Sequence, residues 1–473
     1  MSIGQKIASN TITTISGRIL SSLLGFVSVA IMSRYLGKEG FGEYNIALVF
    51  LYIILAISDL GLYSILSREI SKPGSDEKKI IGGVLGLRLV SVILFFVFAF
   101  IVLYFLPYSQ NVKIGVLLAS PGFLFLSSKQ LLMGVFQKHL KTIWFMIGEV
   151  IERGFQLALI GLFVFLHLPF IYFLIAVSIS IFSSFVIDLF FARKIVGFKL
   201  SFDYDFSKSM LKKSWPLAVS SVLTLVYFKM DTFLLSLMKP SADVGIYSVA
   251  YKVFEGLLFF PAAFSGLMLP LLSNSAISDK EQFKIYFKKA FDFMLIIVFP
   301  IMIGGMVLSQ KITFLIGGKE FVASSVPLKI LMGALFFVFI GNLLGNAIIA
   351  LDKQKKMVYI YALGMFISVT FNLIFIPKYS YMATSWATLV TEAAVNSAMF
   401  FIIVKEIKYW PTDGKFLKAL LASLVMGAVI YLNLDWNIFI LMIMGGAVYF
   451  VLMFLLKGVT GEEIKILLFK KAE

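Results

Sequence analysis

Long, continuous apolar runs dominate the chain, separated by short polar segments. A helix needs about 20 mostly apolar residues to cross a bilayer. Breaking the sequence at charges, prolines and glycines gives fourteen such runs. They lie near 12–35, 44–66, 80–105, 114–136, 142–166, 170–192, 214–237, 244–271, 290–309, 324–350, 357–376, 381–404, 416–432 and 437–456. A transmembrane barrel would instead show alternating stretches of about 10 residues. The pattern predicts an all-α polytopic membrane protein with fourteen transmembrane helices.

One short pattern recurs. Phe41-Gly42-Glu43-Tyr44-Asn45-Ile46-Ala47 matches Val244-Gly245-Ile246-Tyr247-Ser248-Val249-Ala250 at Gly, Tyr and Ala, offset by 203 residues. Both copies enter an even-numbered span, six spans apart. An even shift predicts parallel repeats, related by an axis along the membrane normal. The expected organisation is an N-terminal lobe of six helices (1–192), a cytoplasmic linker (193–213), and a second six-helix lobe (214–404). Two additional spans and a cytoplasmic tail (405–473) follow.

Charge fixes the orientation. With both termini in the cytoplasm, 28 of the 42 Lys and Arg residues fall in cytoplasmic segments, seven in outer segments and seven inside spans. That bias is the positive-inside signature. The formal charge of +16 is therefore a topology signal and implies no nucleic-acid partner. Composition agrees: 60% hydrophobic and 14% charged residues exclude a soluble globular or a disordered chain. There is no cysteine and there are only two histidines, His139 and His167, which leaves little room for thiolate or imidazole chemistry. The first residues lack the short apolar stretch of a cleavable signal peptide. No GxxxxGK[ST] motif is present, so direct ATP use is not expected. The outer loops are short, which argues against a membrane-embedded glycan polymerase or ligase.

Several stretches carry a family resemblance. They are Arg34-Tyr35-Leu36-Gly37 through Phe41-Gly42-Glu43-Tyr44; Asp59-Leu60-Gly61-Leu62 with Arg68-Glu69; and Asp231 followed by Ser241 to Lys252. Pro270 closing span 8, and Asn372 with Ile376-Pro377-Lys378-Tyr379, add to it. Together they resemble the polysaccharide-biosynthesis flippases (Wzx-like) of the multidrug/oligosaccharidyl-lipid/polysaccharide exporter superfamily, over essentially the whole chain. The resemblance implies a transporter, not an enzyme, that moves a polyprenyl-pyrophosphate-linked oligosaccharide from the inner to the outer leaflet by alternating access. It implies no cofactor. Its implied partners are membrane lipids, Na⁺ or H⁺, and other polysaccharide-assembly membrane proteins. Within the superfamily a peptidoglycan-precursor (lipid II) flippase and a cation-coupled multidrug antiporter stand as alternatives.

Ionisable side chains inside a membrane are costly and default to functional candidates. At 1.5 Å per residue, Arg18, Arg88, Lys129 and Arg153 lie roughly 9–16 Å from the cytoplasmic side, and Lys229 and Lys252 roughly 12 Å from the outer side. Such cations suit a pyrophosphate, which arginine grips bidentately and lysine as a point charge. The competing expectation is internal pairing. Glu149 and Arg153 are spaced i,i+4, and Lys252 and Glu255 i,i+3. Arg18 and Arg88 have no acid within a turn of their own helix. Lys329 reads as a snorkelling residue. For ion coupling, Asp231, Asn372 and Thr388 offer hard oxygen ligands for Na⁺, or Asp231 carries a proton; Glu392 is a second candidate for protonation.

Three weaker patterns complete the reading. Asp203-Tyr204-Asp205 imitates a metal-binding Asp-x-Asp but reads as a solvated turn. Phe283, Phe287 and Phe291, interleaved with Lys280, Lys284 and Lys288, predict an amphipathic helix lying on the anionic inner leaflet. Pro121, Pro261 and Pro300 fall inside spans and predict kinks, static or flexing.

Overall fold

The computed structural model describes residues 3–411 and 414–458, without the side chains of residues 3–13, 15, 220, 221 and 223–228. Both chain ends, with Lys465, Lys470 and Lys471 of the expected tail, lie outside the described residues. All regular structure among the described residues is helical: α1 (Ile3–Ser58), α2 (Leu62–Ile70), α3 (Glu77–Phe105), α4 (Gln110–Lys138), α5 (Thr142–Phe165), α6 (Phe170–Ile195), α7 (Tyr204–Met238) and α8 (Ser241–Leu257). Then follow α9 (Phe259–Ser278), α10 (Lys280–Gly317), α11 (Ser325–Ala350), α12 (Gln354–Tyr379), α13 (Tyr381–Ile407), α14 (Lys415–Leu432) and α15 (Ile438–Leu455), with a 3₁₀ turn at Lys319–Ser324.

Eleven helical stretches among the described residues are long and apolar enough to cross a membrane. The first two predicted spans form one element, α1, broken at Gly37, whose φ of 66° and ψ of 179° only glycine adopts without strain. The fifth predicted span, α5, falls outside the eleven because Glu149, Glu152 and Arg153 sit in its middle. The eighth is split. Pro261 lacks an N–H and its ring displaces the carbonyl one turn back, and the helix interrupts at Leu258 before resuming as α9. It then passes through Pro270, which does not close it, and ends at Ser278. Helices continue through Pro121 and Pro300.

Side-chain caps set several helix starts. Asp76 accepts from Lys79 N at 3.1 Å, and Ser109 from Val112 N at 3.2 Å. Asp203 accepts from Phe206 N at 3.0 Å, so the Asp-x-Asp pattern is the N-cap of α7.

The chain divides into two compact units, 1–245 and 246–473. In the first, α4 packs on α6, and α5 packs on α1 and α6. Leu62, Ile65 and Leu66 of α2 join a buried cluster with Leu85 of α3 and Leu131 and Val135 of α4. The two copies of the repeated heptapeptide meet here. A Cβ on Gly42 would collide with Ser241 O, and one on Gly245 with Lys38 O. Both positions must be glycine for the backbones to approach this closely.

In the second unit, α11 packs against α9, α10 and α13, and α14 and α15 pack on α10. Tyr449 of α15 donates to Ile296 O at 2.7 Å. The predicted amphipathic segment is the start of α10, and its aromatic face turns into protein, not lipid. Phe283, Phe287 and Phe291 are buried and stack at 6.1 and 6.0 Å between ring centroids. Phe291 meets Phe400 of α13, which meets Trp410. Removing a ring such as Phe283 from water is worth about 1.5–3 kcal/mol, which anchors this end of α10 to the unit.

Candidate functional site

The densest charge inside the spans lies where α4, α5 and α6 of the first unit meet. Lys129 is buried, and its Nζ donates to Glu152 Oε2 at 2.6 Å and to Ser184 Oγ at 3.0 Å. Ser184 donates to the same Glu152 oxygen at 2.6 Å. The ammonium also sits 5.1 Å from the Phe145 ring centroid, a cation–π contact. One turn beyond Ser184, Asp188 is fully buried, and neither of its carboxylate oxygens has a hydrogen-bond partner among the described residues. It fits only because Gly148 faces it; a Cβ there would lie 2.6 Å from Asp188 Oδ1. Arg153 is half-buried and donates to Gln156 Oε1 at 3.0 Å. Two cations and three acids, Glu149 included, thus share a three-helix interior.

Arg88 has a partner that sequence spacing does not reveal. It is fully buried on α3, and its Nη2 pairs with Asp59 in the turn after α1. Its Nη1 donates to Ser58 O at 3.1 Å, where Ser91 Oγ also donates at 3.2 Å. Asp59 in turn accepts from Gly61 N at 3.1 Å. Asp59 is therefore held by a guanidinium and a backbone amide at a turn where Leu60 and Gly61 both have positive φ. Removing one member of a buried pair leaves an uncompensated charge, so this arrangement fixes how α1 hands over to α2.

Arg18 behaves differently. It is exposed, in the first half of α1, and has no ion pair among the described residues.

The outer-side candidates are distributed over both units. In the first, Lys229 is half-buried, and buried Asp231 accepts from Thr232 N at 2.6 Å. In the second, Lys252 pairs with Glu255 at 2.8 Å, as the i,i+3 spacing predicts. Asn372 is fully buried and donates to Ser368 O at 2.9 Å; its Oδ1 has no partner among the described residues. Thr388 donates to Thr384 O at 3.1 Å, and Glu392 accepts from Asn396 Nδ2 at 2.9 Å. Lys329 is exposed. Among the described residues no three His, Asp or Glu side chains gather as a metal cage.

At the end of α2 outside the spans, Glu69 is the hub of a surface cluster. Lys72 Nζ lies 2.6 Å from its carboxylate, and Lys213 and Arg68 lie 3.6 Å away. The Lys72 hydrogen bond and the surrounding cations hold the Glu69 carboxyl below the usual range.

Sequence reasoning missed Ser184 and the partners of Lys129 and Arg88, because these contacts join segments far apart in the chain. Two signals were available: the i,i+4 spacing of Ser184 and Asp188 on α6, which places a hydroxyl and a carboxyl on one face, and the i,i+3 spacing of Arg153 and Gln156 on α5.

The chain as a whole is similar to known proteins. The polysaccharide biosynthesis protein family model matches residues 7–276, and the MatE model matches residues 216–374. The capsular polysaccharide biosynthesis protein CapF of Staphylococcus aureus is 26% identical over 81% of this chain and 96% of its own length. A Haloferax volcanii protein named "Probable low-salt glycan biosynthesis flippase Agl15" is 21% identical over 83% of this chain and 82% of its own. Among solved structures, the lipid II flippase MurJ in its inward closed conformation shares the fold, with a TM-score of 0.76 at 19% identity over 93% of this chain and 97% of that one. With a family model covering more than half its length, this multi-pass membrane chain belongs to the polysaccharide biosynthesis protein family.

Proposed function

We propose that the protein is a flippase that carries a polyprenyl-pyrophosphate-linked oligosaccharide from the inner to the outer leaflet by alternating access, for cell-surface polysaccharide synthesis. Family membership and the names of the relatives support transport over catalysis. The observation that carries the substrate reading is Arg18. A guanidinium at membrane depth is costly, and this one keeps its charge available where its neighbours do not. Arg153, half-buried, is the second candidate for pyrophosphate contact. Arg88 and Lys129 act on the substrate indirectly, by holding the helices that present Arg18 and Arg153. Lys229 and Lys252 serve the outer side.

Transport is driven by Na⁺ or H⁺, with Asp231, Asn372, Thr388 and Glu392 as the coupling residues. The chain crosses the membrane fourteen times, as two six-helix lobes plus α14 and α15, with both termini cytoplasmic.

Complementation tests the reading. The gene should restore surface polysaccharide in a strain lacking its capsule or O-unit flippase, and the Arg18→Ala variant should not. Rescue of a lipid II flippase depletion instead would move the substrate to the peptidoglycan precursor. Resistance to cationic drugs without either rescue would make it a multidrug antiporter.

A further inference from the structure

Turning the phenylalanines of α10 into protein leaves its lysines without the role that an interfacial helix would give them. Those lysines line a cavity of about 380 Å³ in the second unit. Lys284, Lys288 and Asp292 follow one another at four-residue intervals on one face of α10, and Lys289 adds a third cation from the same helix. Lys415, at the start of α14, and Tyr409, after α13, form the opposite wall. Glu281 also lines it and pairs with Lys284 at 2.6 Å. Four lysines against two acids leave the cavity net positive, and Tyr409 adds a phenolic hydroxyl.

The surroundings are amphiphilic. Ile285, which also lines the cavity, is 46% exposed, and Trp410 and Leu417 beside its wall are 55% and 58% exposed. The charge pattern puts this end of α10 at the cytoplasmic surface, where anionic headgroups lie. Basic pockets between helices at that level bind lipid phosphates, and tryptophan favours the same depth. A free anion would have no use for the apolar rim.

We infer that the cavity between the first turns of α10 and the start of α14 is a binding site for the phosphate headgroup of an anionic membrane lipid. The lysines hold the phosphate, Tyr409 donates to an ester or hydroxyl oxygen, and the acyl chains lie along Ile285, Trp410 and Leu417. This gives α14, which lies outside the repeat, a task of its own, and it is independent of which glycan is transported.

The test uses the full chain in neutral detergent micelles. Phosphatidylglycerol, phosphatidylcholine or inorganic phosphate is added, and thermal unfolding is followed by tryptophan fluorescence. Native mass spectrometry counts the bound lipid. Phosphatidylglycerol should raise the Tm of the wild type and persist as a bound adduct, while the other two should do neither. Lys284→Gln, Lys288→Gln and Lys415→Gln together should abolish the shift, whereas Lys355→Gln with Lys356→Gln, elsewhere on the same unit, should leave it intact. If the triple variant does not fold, Lys415→Gln alone should weaken phosphatidylglycerol about fivefold. An equal shift in variant and wild type overturns the assignment. So does a shift reproduced by inorganic phosphate alone, which would make the ligand a free anion.

Discussion

Lys129 Nζ on α4 lies 2.6 Å from Glu152 Oε2 on α5, and Ser184 on α6 donates to that same oxygen, so three helices share one carboxylate. Removing one side of a buried pair costs about 3–5 kcal/mol, whereas replacing both sides by apolar residues of similar volume is often neutral or stabilising. Lys129→Met and Glu152→Met should therefore each lower the Tm sharply, and the double variant should recover most of the loss. Additive losses in thermal unfolding would refute the coupling.

Arg18 and Arg88 separate substrate contact from folding. Arg88→Ala removes the guanidinium from Asp59, leaving it only the Gly61 amide, and takes one of two donors from Ser58 O; it should lose several degrees of Tm and much of the expression level. Arg18→Ala removes no ion pair among the described residues. It should fold as the wild type does and fail in complementation. Wild-type polysaccharide export by a well-expressed Arg18→Ala variant would remove Arg18 from the substrate path.

The Glu69 cluster gives stability a pH dependence of known sign. A carboxyl held below its ordinary value of 4.5 by Lys72 contributes stability that is fully present above that value. The contribution is lost as the pH falls through the lowered, folded-state value. The Tm of the wild type should fall over that acid range, and Glu69→Gln should flatten this part of the profile. An unchanged acid limb in the variant would show that other carboxylates dominate.

The absence of cysteine from the chain makes its topology directly measurable. Single cysteines can be introduced without removing any native thiol. A cysteine at Gln110 should react with an impermeant maleimide added outside intact cells. Cysteines at Ser75 and Gln354 should react only after lysis. Labelling at Ser75 and Gln354 from outside with Gln110 protected would invert the fourteen-span arrangement, and labelling of all three would break it.

The helical fold was legible because a spanning helix advertises itself through composition alone, and the runs recovered α3 to α6 and α11 to α15 closely, while α10 extends about ten residues beyond the start of its run and eight beyond its end. What sequence misread were places where a neighbour overrides local pattern. The Phe283, Phe287 and Phe291 stripe has the spacing of a lipid-facing surface, but the aromatic partner Phe400 comes from another helix. Arg88 has no acid near it in sequence because its partner is Asp59, 29 residues away across a turn. Intramembrane charges stand out in the sequence because each is costly to leave without a partner. Which helix satisfies it is a matter of packing angle, and one chain's periodicity does not encode that.

Gly42 and Gly245 make the repeated heptapeptide a contact surface for itself. Each copy presents a bare α-carbon to a carbonyl beside the other, so a side chain at either position would force both backbones to move. The glycine common to the two copies is thus one shared tolerance, and a change in either spends it for both.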